Sequence, residues 1–119
     1  MDFERLKQIQ KLLPKFPLVL HGASTVLPEF VDLCNQYGGK ISGAQGVPEK
    51  MIRQATEFGV CKVNIDTDLR LAMTAAIRKH MAENPDNFDP RKYLGPGRTA
   101  IKGMVQHKIK NVLGCSNRL

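Results

Sequence analysis

Two short apolar runs, each followed by polar residues and a helical pattern, constrain the fold of this chain most strongly. The first lies at residues 17–20 and the second at residues 60–65. Such runs, separated by helical segments, are typical of buried parallel strands joined by right-handed crossovers. A parallel sheet needs further strands and helices on both faces, because each unpaired edge is a liability. The sequence therefore predicts an α/β arrangement, two consecutive β/α units taken from a larger fold.

Helical periodicity, with proline and glycine at the boundaries, defines the segments around these strands. The predicted helices cover residues 1–13, 28–37, 48–58 and 68–83. A helical turn beginning at Asp89 and Pro90 follows. The sequence GPG at residues 95–97 is expected to separate this turn from a last helix that ends at Gly114. The predicted order is α-β-α-α-β-α-α.

Charge and composition restrict the classes of function. The formal net charge is +7, from 18 Lys and Arg against 11 Asp and Glu among 119 residues. A basic surface suits solvent, anionic metabolites or nucleic acid. Aromatic residues make up only 6% of the chain, and it has no Trp, which disfavours a base-stacking platform for nucleic acid.

Cysteine use and hydropathy indicate the compartment. Cys34, Cys61 and Cys115 form no CxxC pair and have no zinc-finger spacing, which indicates free thiols in a reducing environment. No stretch approaches the roughly 20 apolar residues of a membrane span, and no signal-peptide core is present. We therefore expect a soluble, cytoplasmic protein without membrane partners.

Polar residues follow the first apolar run at His21, Gly22 and Ser24. In β/α folds the carboxyl ends of the strands carry the functional site. A histidine there can bind a metal through a ring nitrogen, and the Gly22 amide and Ser24 hydroxyl can hold a phosphate. The pattern alone leaves open a hydrogen-bonded histidine followed by a turn.

A denser polar cluster accompanies the second run. Strand alternation places three polar side chains on one face, Lys62, Asn64 and Asp66, whereas residues 61, 63 and 65 are expected to pack on helices. Polar groups in a dry interior need each other, water or a substrate. Thr67 is expected to cap the next helix, and its hydroxyl and amide suit a phosphate. The alternative is a capping turn with its charges in solvent.

A third cluster has the sequence FDPR at residues 88–91. Asp89 fits an N-cap and Pro90 the first helical position. Arg91 would project from that turn, either to an anion or into solvent. His80 and His107 lie inside helices, and we interpret both as ordinary helical residues.

Three sequences in this order resemble the class II, zinc-dependent fructose-bisphosphate aldolases. They are LVLHGAS at residues 18–24, KVNIDTDLR at residues 62–70 and FDPR at residues 88–91. The resemblance extends from about residue 16 to the end of the chain. That family folds as a TIM (β/α)8 barrel, and the match is to its seventh and eighth strands and closing helices. The resemblance implies that residues 1–119 form a C-terminal fragment of such a barrel.

The resemblance assigns the first cluster to metal and phosphate. It implies that His21 is one of three histidines that bind the catalytic Zn2+. Gly22 and Ser24 match loop positions that bind the substrate's 1-phosphate and a nearby monovalent cation. Many members have Gly-Ser-Gly in this loop, where this chain has Ala23, Ser24 and Thr25. Thr25 cannot take a glycine's positive φ cheaply, so we expect a conflict there.

The other two clusters match substrate contacts of the family. By resemblance, Asn64 contacts the dihydroxyacetone phosphate part of the sugar, and Asp66 lies near its hydroxyls. Thr67 matches another 1-phosphate contact. Arg70 and Arg91 match arginines that bind the 6-phosphate, at least one of them reaching in from the neighbouring subunit of a dimer.

The resemblance implies a lyase of glycolysis and gluconeogenesis. Such an enzyme cleaves fructose 1,6-bisphosphate reversibly to dihydroxyacetone phosphate and glyceraldehyde 3-phosphate through a zinc-stabilised enediolate. The family's catalytic aspartate, its two other zinc histidines and a mobile-loop glutamate have no match in this chain. We therefore expect the fragment to be inactive alone, to need the missing N-terminal part of the barrel, and to self-associate through exposed apolar surface.

Two alternatives stay open at this point. A tagatose-bisphosphate aldolase fragment shares the three sequences and differs in the stereochemistry of its sugar. A basic module that binds nucleic acid or another anion is permitted by charge and size, but the three sequences give it no support. The aldolase fragment is the leading interpretation.

Overall fold

A computed structural model describes residues 1–118, and Leu119, the last residue of the predicted fragment, lies outside them. The two strands are β1 (Leu18–Leu20) and β2 (Val60–Val63). The α-helices are, in order, α1 (Phe3–Leu12), α2 (Pro28–Gln36), α3 (Glu49–Ala55), α4 (Thr67–Glu83) and α5 (Pro90–His107). A 3₁₀ turn (Thr56–Phe58) follows α3, and a π-helix (Lys108–Leu113) follows α5.

The two strands pair in parallel, as the helical connection between them predicted. Leu18 pairs with Val60 and Leu20 with Val63, with one irregularity between Leu18 and Val19. The connection passes through α2 and α3. Because both strands run in the same direction, the residues after Leu20 and after Val63 meet at one edge of the sheet. The α/β prediction is confirmed for this part of the chain.

Helix starts agree with the sequence signals more closely than helix interiors do. Pro28 begins α2, and Pro90 begins α5 behind the N-cap Asp89. The Asp89 carboxylate accepts a hydrogen bond from the Arg91 amide at 2.9 Å, which confirms the predicted cap. The left-handed Gly59 (φ 82°) ends the segment that precedes β2.

The prediction that residues 95–97 separate a short turn from the last helix is wrong. Helix α5 runs through this sequence, with Pro96 in its interior. An interior proline costs roughly 3 kcal/mol, so tertiary packing must offset it. Gly97 is buried, and a Cβ there would lie 3.0 Å from Met73 Cγ and 3.3 Å from Ile77. The glycine allows α5 to approach α4 closely, and this packing outweighs the local preference to break.

Two small clusters form the core. One contains Ala23, Ile52 and Val112, and the other contains Cys34, Leu71 and Ala75. The first cluster joins the loop after β1, helix α3 and the π-helix. The second joins α2 to α4. The loop that follows His21 is therefore anchored in the core, whereas His21 itself is exposed.

The chain is flat and open. Its principal extents are 59 × 36 × 17 Å and its radius of gyration is 17.3 Å, against about 13.5 Å for a compact domain of this length. The accessible surface is 8279 Å2, whereas a compact monomer of this mass exposes roughly 6,400 Å2. Apolar side chains of Leu12, Phe16 and Val19 are among those exposed. This arrangement encloses less core than an independent domain of the same size.

The cysteines and the helices bear on the remaining compositional predictions. Among residues 1–118 the three cysteines are free thiols, with Cys34 buried and Cys61 and Cys115 exposed. The exposure of Cys61 corrects the prediction that its strand face packs on helices, whereas Val63 does contact the core. None of the helices in this range is long and apolar enough to cross a membrane.

Candidate functional site

The first residues after β1 and β2 meet at the carboxyl edge of the sheet. The backbone N–H of Asn64 donates to the Leu20 carbonyl at 2.9 Å, which extends the parallel pairing beyond the strands. This pairing brings Asn64 Nδ2 to 2.9 Å from His21 Nδ1. Two polar residues that lie 43 positions apart in the sequence are thereby placed in direct contact.

Lys62 holds the Asn64 amide from its other side. Lys62 Nζ donates to Asn64 Oδ1 at 2.8 Å, so the two side chains share one face of the strand, as the alternation predicted. Because Oδ1 of the Asn64 side chain accepts from Lys62, the NH2 group of the same side chain faces His21. His21 Nδ1 then accepts a hydrogen bond, and a neutral ring carries its proton at Nε2.

Ser24 and Thr67 form the second contact between the two clusters. The Thr67 amide donates to Ser24 Oγ at 3.3 Å. Thr67 is the first residue of α4, where backbone N–H groups lack intrahelical partners and the helix dipole favours anions. The prediction that Thr67 is the N-cap is wrong by one position. Asp66 occupies the cap and makes no side-chain capping bond within the described chain.

Gly22 lies in the loop between His21, which contacts Asn64, and Ser24, which contacts Thr67. Its φ is +62°, a left-handed conformation that favours glycine. The conflict expected at Thr25 is absent from the described loop, because the other positive φ falls on Val26 (φ 49°). Val is β-branched and rarely adopts this conformation, so the loop is strained at Val26 rather than at Thr25.

The predicted acidic and basic residues pair locally. Asp66 Oδ2 lies 2.7 Å from the Arg70 guanidinium, and both side chains are largely exposed. Arg91 donates through Nε and Nη2 to both oxygens of Asp89, at distances of 2.6–3.1 Å. The Arg91 guanidinium lowers the pKa of the Asp89 carboxyl. The structure therefore brings His21, Ser24, Asn64 and Thr67 together, whereas the two arginines are paired with their sequence neighbours.

Sequence reasoning missed a buried polar network next to this site, here called the Lys108 network. Its members are Thr25, Glu49, Asp68, His107 and Lys108. Both oxygens of the Asp68 carboxylate lie within 3.0 Å of the Thr25 amide, and Lys108 Nζ lies 3.1 Å from Asp68. Glu49 bridges the Lys108 ammonium and His107 Nε2, each at 2.8 Å.

Two carboxyls of the Lys108 network have lowered pKa values. Burial acts to raise the pKa of Asp68, but hydrogen bonds from the Thr25 and Val26 amides and from Lys108 outweigh it. Burial likewise opposes ionisation of Glu49, and its hydrogen bonds with Lys108 and His107 lower its pKa on balance. Both groups are therefore ionised acceptors at neutral pH. His107, interpreted from the sequence as an ordinary helical residue, belongs to this network.

The number of metal-ligating side chains at this edge decides whether it can hold zinc. An imidazole suits zinc, and a catalytic zinc site has three protein ligands. The part of the chain that the structure describes contains no group of three His, Cys, Asp or Glu side chains able to hold a metal ion. If zinc binds His21 at Nε2, the ring proton must be at Nδ1. The Asn64 side chain would then have to rotate, so that its Oδ1 accepts a hydrogen bond from the Nδ1–H group. Residues 1–118 therefore do not make a zinc site by themselves.

Similarity to known proteins identifies the family. The family model described as fructose-bisphosphate aldolase class-II matches residues 1–118. A fructose-bisphosphate aldolase of Treponema pallidum is 52% identical over 118 residues, which are 99% of this chain and 36% of that protein. One of Giardia intestinalis is 52% identical over 110 residues, covering 92% and 34% of the two chains.

A third relative extends the same pattern. The fructose-bisphosphate aldolase of Thermus caldophilus is 48% identical over 110 residues, which cover 92% of this chain and 36% of that protein. The chain thus spans about a third of the length of these relatives. The resemblance in the three polar clusters is confirmed over almost the whole chain. The chain belongs to the class II fructose-bisphosphate aldolase family.

Proposed function

We propose that the protein to which this chain belongs cleaves fructose 1,6-bisphosphate reversibly to dihydroxyacetone phosphate and glyceraldehyde 3-phosphate. Family membership supports the reaction class. The observation that carries the proposal is the convergence of His21, Asn64, Ser24 and Thr67 at one edge of a parallel sheet. In this proposal β1 and β2 are the seventh and eighth strands of a (β/α)8 barrel, whose remaining strands lie outside this chain.

The 1-phosphate of the substrate is proposed to bind between the loop after β1 and the start of α4. Ser24 Oγ accepts from the Thr67 amide, so its own hydroxyl hydrogen remains free to donate. The Thr67 hydroxyl is a second donor for the phosphate, and it lies at the N-terminus of a 17-residue helix, whose dipole favours an anion. Gly22 is proposed to let the backbone approach the phosphate and a nearby monovalent cation.

Asn64 and Asp66 are proposed to contact the carbon skeleton of the sugar. The Asn64 side chain lies between Lys62 and His21, so its position is restricted before the substrate arrives. We assign it to the dihydroxyacetone phosphate part. Asp66 is exposed and its carboxylate can accept from substrate hydroxyls.

His21 is proposed as one of three zinc ligands, with the other two outside this chain. When bound, zinc would polarise the ketone carbonyl of the substrate. Asn64 would fix the imidazole through its Nδ1 atom after its side-chain amide rotates to present Oδ1 to His21, a rotation that releases the hydrogen bond from Lys62. Since the residue that moves the proton also has no match here, the chain alone is expected to be inactive.

Arg70 and Arg91 are proposed to bind the 6-phosphate, at least one of them across the interface of a homo-oligomer. Both side chains are exposed, Arg70 by 77% and Arg91 by 90%. Arg91 is held by Asp89 in a two-point contact at the start of α5. A guanidinium oriented in this way presents its remaining N–H groups to a phosphate at little conformational cost.

Fragment complementation tests the proposal. This chain is mixed with zinc and with the part of the Treponema pallidum aldolase that precedes the matched 118 residues, and cleavage of fructose 1,6-bisphosphate is followed. We expect activity in the mixture and none in either piece. The His21→Ala chain should fail to complement, whereas His80→Ala, at a helical histidine bonded to Asn87, should succeed. Activity of the chain alone, or full complementation by the His21→Ala chain, would contradict the proposal.

A further inference from the structure

We infer that Lys108 is a positioning residue that fixes the loop after β1 against the first turn of α4. The inference rests on the proposed function, because this loop and this turn carry the Ser24 and Thr67 hydroxyls proposed to hold the 1-phosphate. Lys108 acts on them through Thr25 and Asp68, the residues that directly follow Ser24 and Thr67 in the sequence.

The Lys108 ammonium is buried and fully engaged. The residue is 3% exposed. Its three N–H donors have three acceptors, Thr25 Oγ1 at 2.6 Å, Glu49 Oε1 at 2.8 Å and Asp68 Oδ2 at 3.1 Å. An ammonium is retained in such surroundings only when it is paired and hydrogen-bonded. Because the acceptors belong to the loop, to α3 and to α4, one side chain joins three segments.

Asp68 transmits this constraint to the backbone of the loop. Its carboxylate accepts from the Thr25 amide at 2.9 Å and from the Val26 amide at 2.7 Å. Val26 has the disfavoured φ of 49°, a strain that persists only where surrounding contacts determine it. The two amides and Lys108 therefore hold the loop in a conformation that it would otherwise leave. The distance of 3.3 Å between Ser24 Oγ and the Thr67 amide depends on that conformation.

Lys108 is positioned by a π-helix. Lys108 is the first residue of the π-helix, a form that is rare and frequent at functional sites. Val112, in the same helix, packs with Ala23 of the loop in the core. The Leu113 carbonyl near its end accepts from Arg53 at 2.7 Å. The helix is thus anchored at both ends, so it can serve as a rigid support for the loop.

Two measurements on Lys108→Met test this role, with Lys110→Met as the matched control, since Lys110 is an exposed lysine of the same π-helix. Hydrogen exchange of the Thr25 and Val26 amides, followed by NMR in the full chain without ligand, should be at least tenfold faster. In the complemented enzyme, KM for fructose 1,6-bisphosphate should rise at least fivefold, with kcat within twofold. Loss of folded protein alone would lower the apparent kcat and leave KM unchanged.

If the single variant does not fold, the double variant Lys108→Met, Asp68→Asn is measured in its place. It removes the buried Asp68 charge that Lys108 would leave unpaired, whereas Glu49 is partly exposed and keeps its contact with His107. We expect it to fold and to keep the raised KM. Unchanged exchange and unchanged KM in a folded Lys108 variant would overturn the inference. If the unsubstituted chain and its partner piece show no activity, the proposed function fails, while amide exchange still decides whether Lys108 holds the loop.

Discussion

At the scale of single residues, the site depends on pairs that are distant in the sequence and adjacent in the fold. His21 and Asn64 are 43 positions apart, and so are Ser24 and Thr67. His21 and Asn64 directly follow the paired residues Leu20 and Val63, so the parallel register places them opposite each other, and the loop after β1 carries Ser24 back to the start of α4. The sequence places each of these residues after a strand, but the contacts arise from the register.

Ser24→Ala tests the proposed phosphate contact. Removal of the hydroxyl should raise KM for fructose 1,6-bisphosphate about tenfold in the complemented enzyme, since a hydrogen bond to a charged group contributes about 1.5 kcal/mol. The fold should be retained, because Ser24 is only half-buried and the Thr67 amide can turn to water. Ser42→Ala, at an exposed loop serine, should leave KM unchanged. An equal KM for the two variants would show that Ser24 does not contact the phosphate.

At the scale of secondary structure, the contact between α4 and α5 depends on Gly97. A Cβ at this position would lie 3.0 Å from Met73 Cγ, whereas a Cβ at Gly103 in the same helix would meet no described atom within 4 Å beyond its chain neighbours and the local helix backbone. Gly103→Ala should therefore stabilise the protein by up to about 1 kcal/mol through helix propensity. Gly97→Ala should be about 1–3 kcal/mol less stable than Gly103→Ala because of overpacking. Equal thermal midpoints would contradict this account of the helix contact.

The Lys108 network predicts how stability changes with pH. The pKa values of Asp68 and Glu49 are lowered in the folded state from ordinary values of 3.8 and 4.5. Their contribution is complete above the unfolded-state values and is lost as the pH falls through the folded-state values. The urea midpoint should therefore be steady from pH 7 to about pH 5 and fall below that. Asp68→Asn should be less stable at pH 7 and show a shallower fall in acid, and an unchanged acid slope would exclude Asp68 from this linkage.

The sequence predicted the secondary-structure elements of this chain well, but it did not predict the contacts of its buried charged residues. The strands, the crossover and the proline starts follow from periodicity and local backbone chemistry. Lys108 lies four residues after Met104 and four before Val112, both buried, so a charged residue on an apolar stripe was the available signal. Its acceptors lie up to 83 positions away, and no local rule specifies them. The prediction of a helix break at Pro96 is wrong for the same reason, since packing on α4 decides its place in α5.

At the scale of the whole molecule, the open shape predicts self-association. The radius of gyration is 17.3 Å, and Val19 within β1 is 49% exposed, so this strand lacks the cover that a parallel sheet requires. Apolar surface of this kind is uncommon on a soluble monomer. Size-exclusion chromatography with light scattering should show the chain as an oligomer whose mass rises with concentration.

The exposed strand should contribute more to this association than an isolated apolar residue in a loop. Val19 is 49% exposed within β1, three positions after the exposed Phe16, whereas Phe88 is 91% exposed just before α5. Val19→Lys places a charge on the open sheet, which should shift the oligomer toward monomer. Phe88→Ser should change the mass distribution less, and the complementing fragment should suppress association of the unsubstituted chain by covering the strand. A dilute, well-folded monomer of the unsubstituted chain would show that the open sheet is stable in water without a partner.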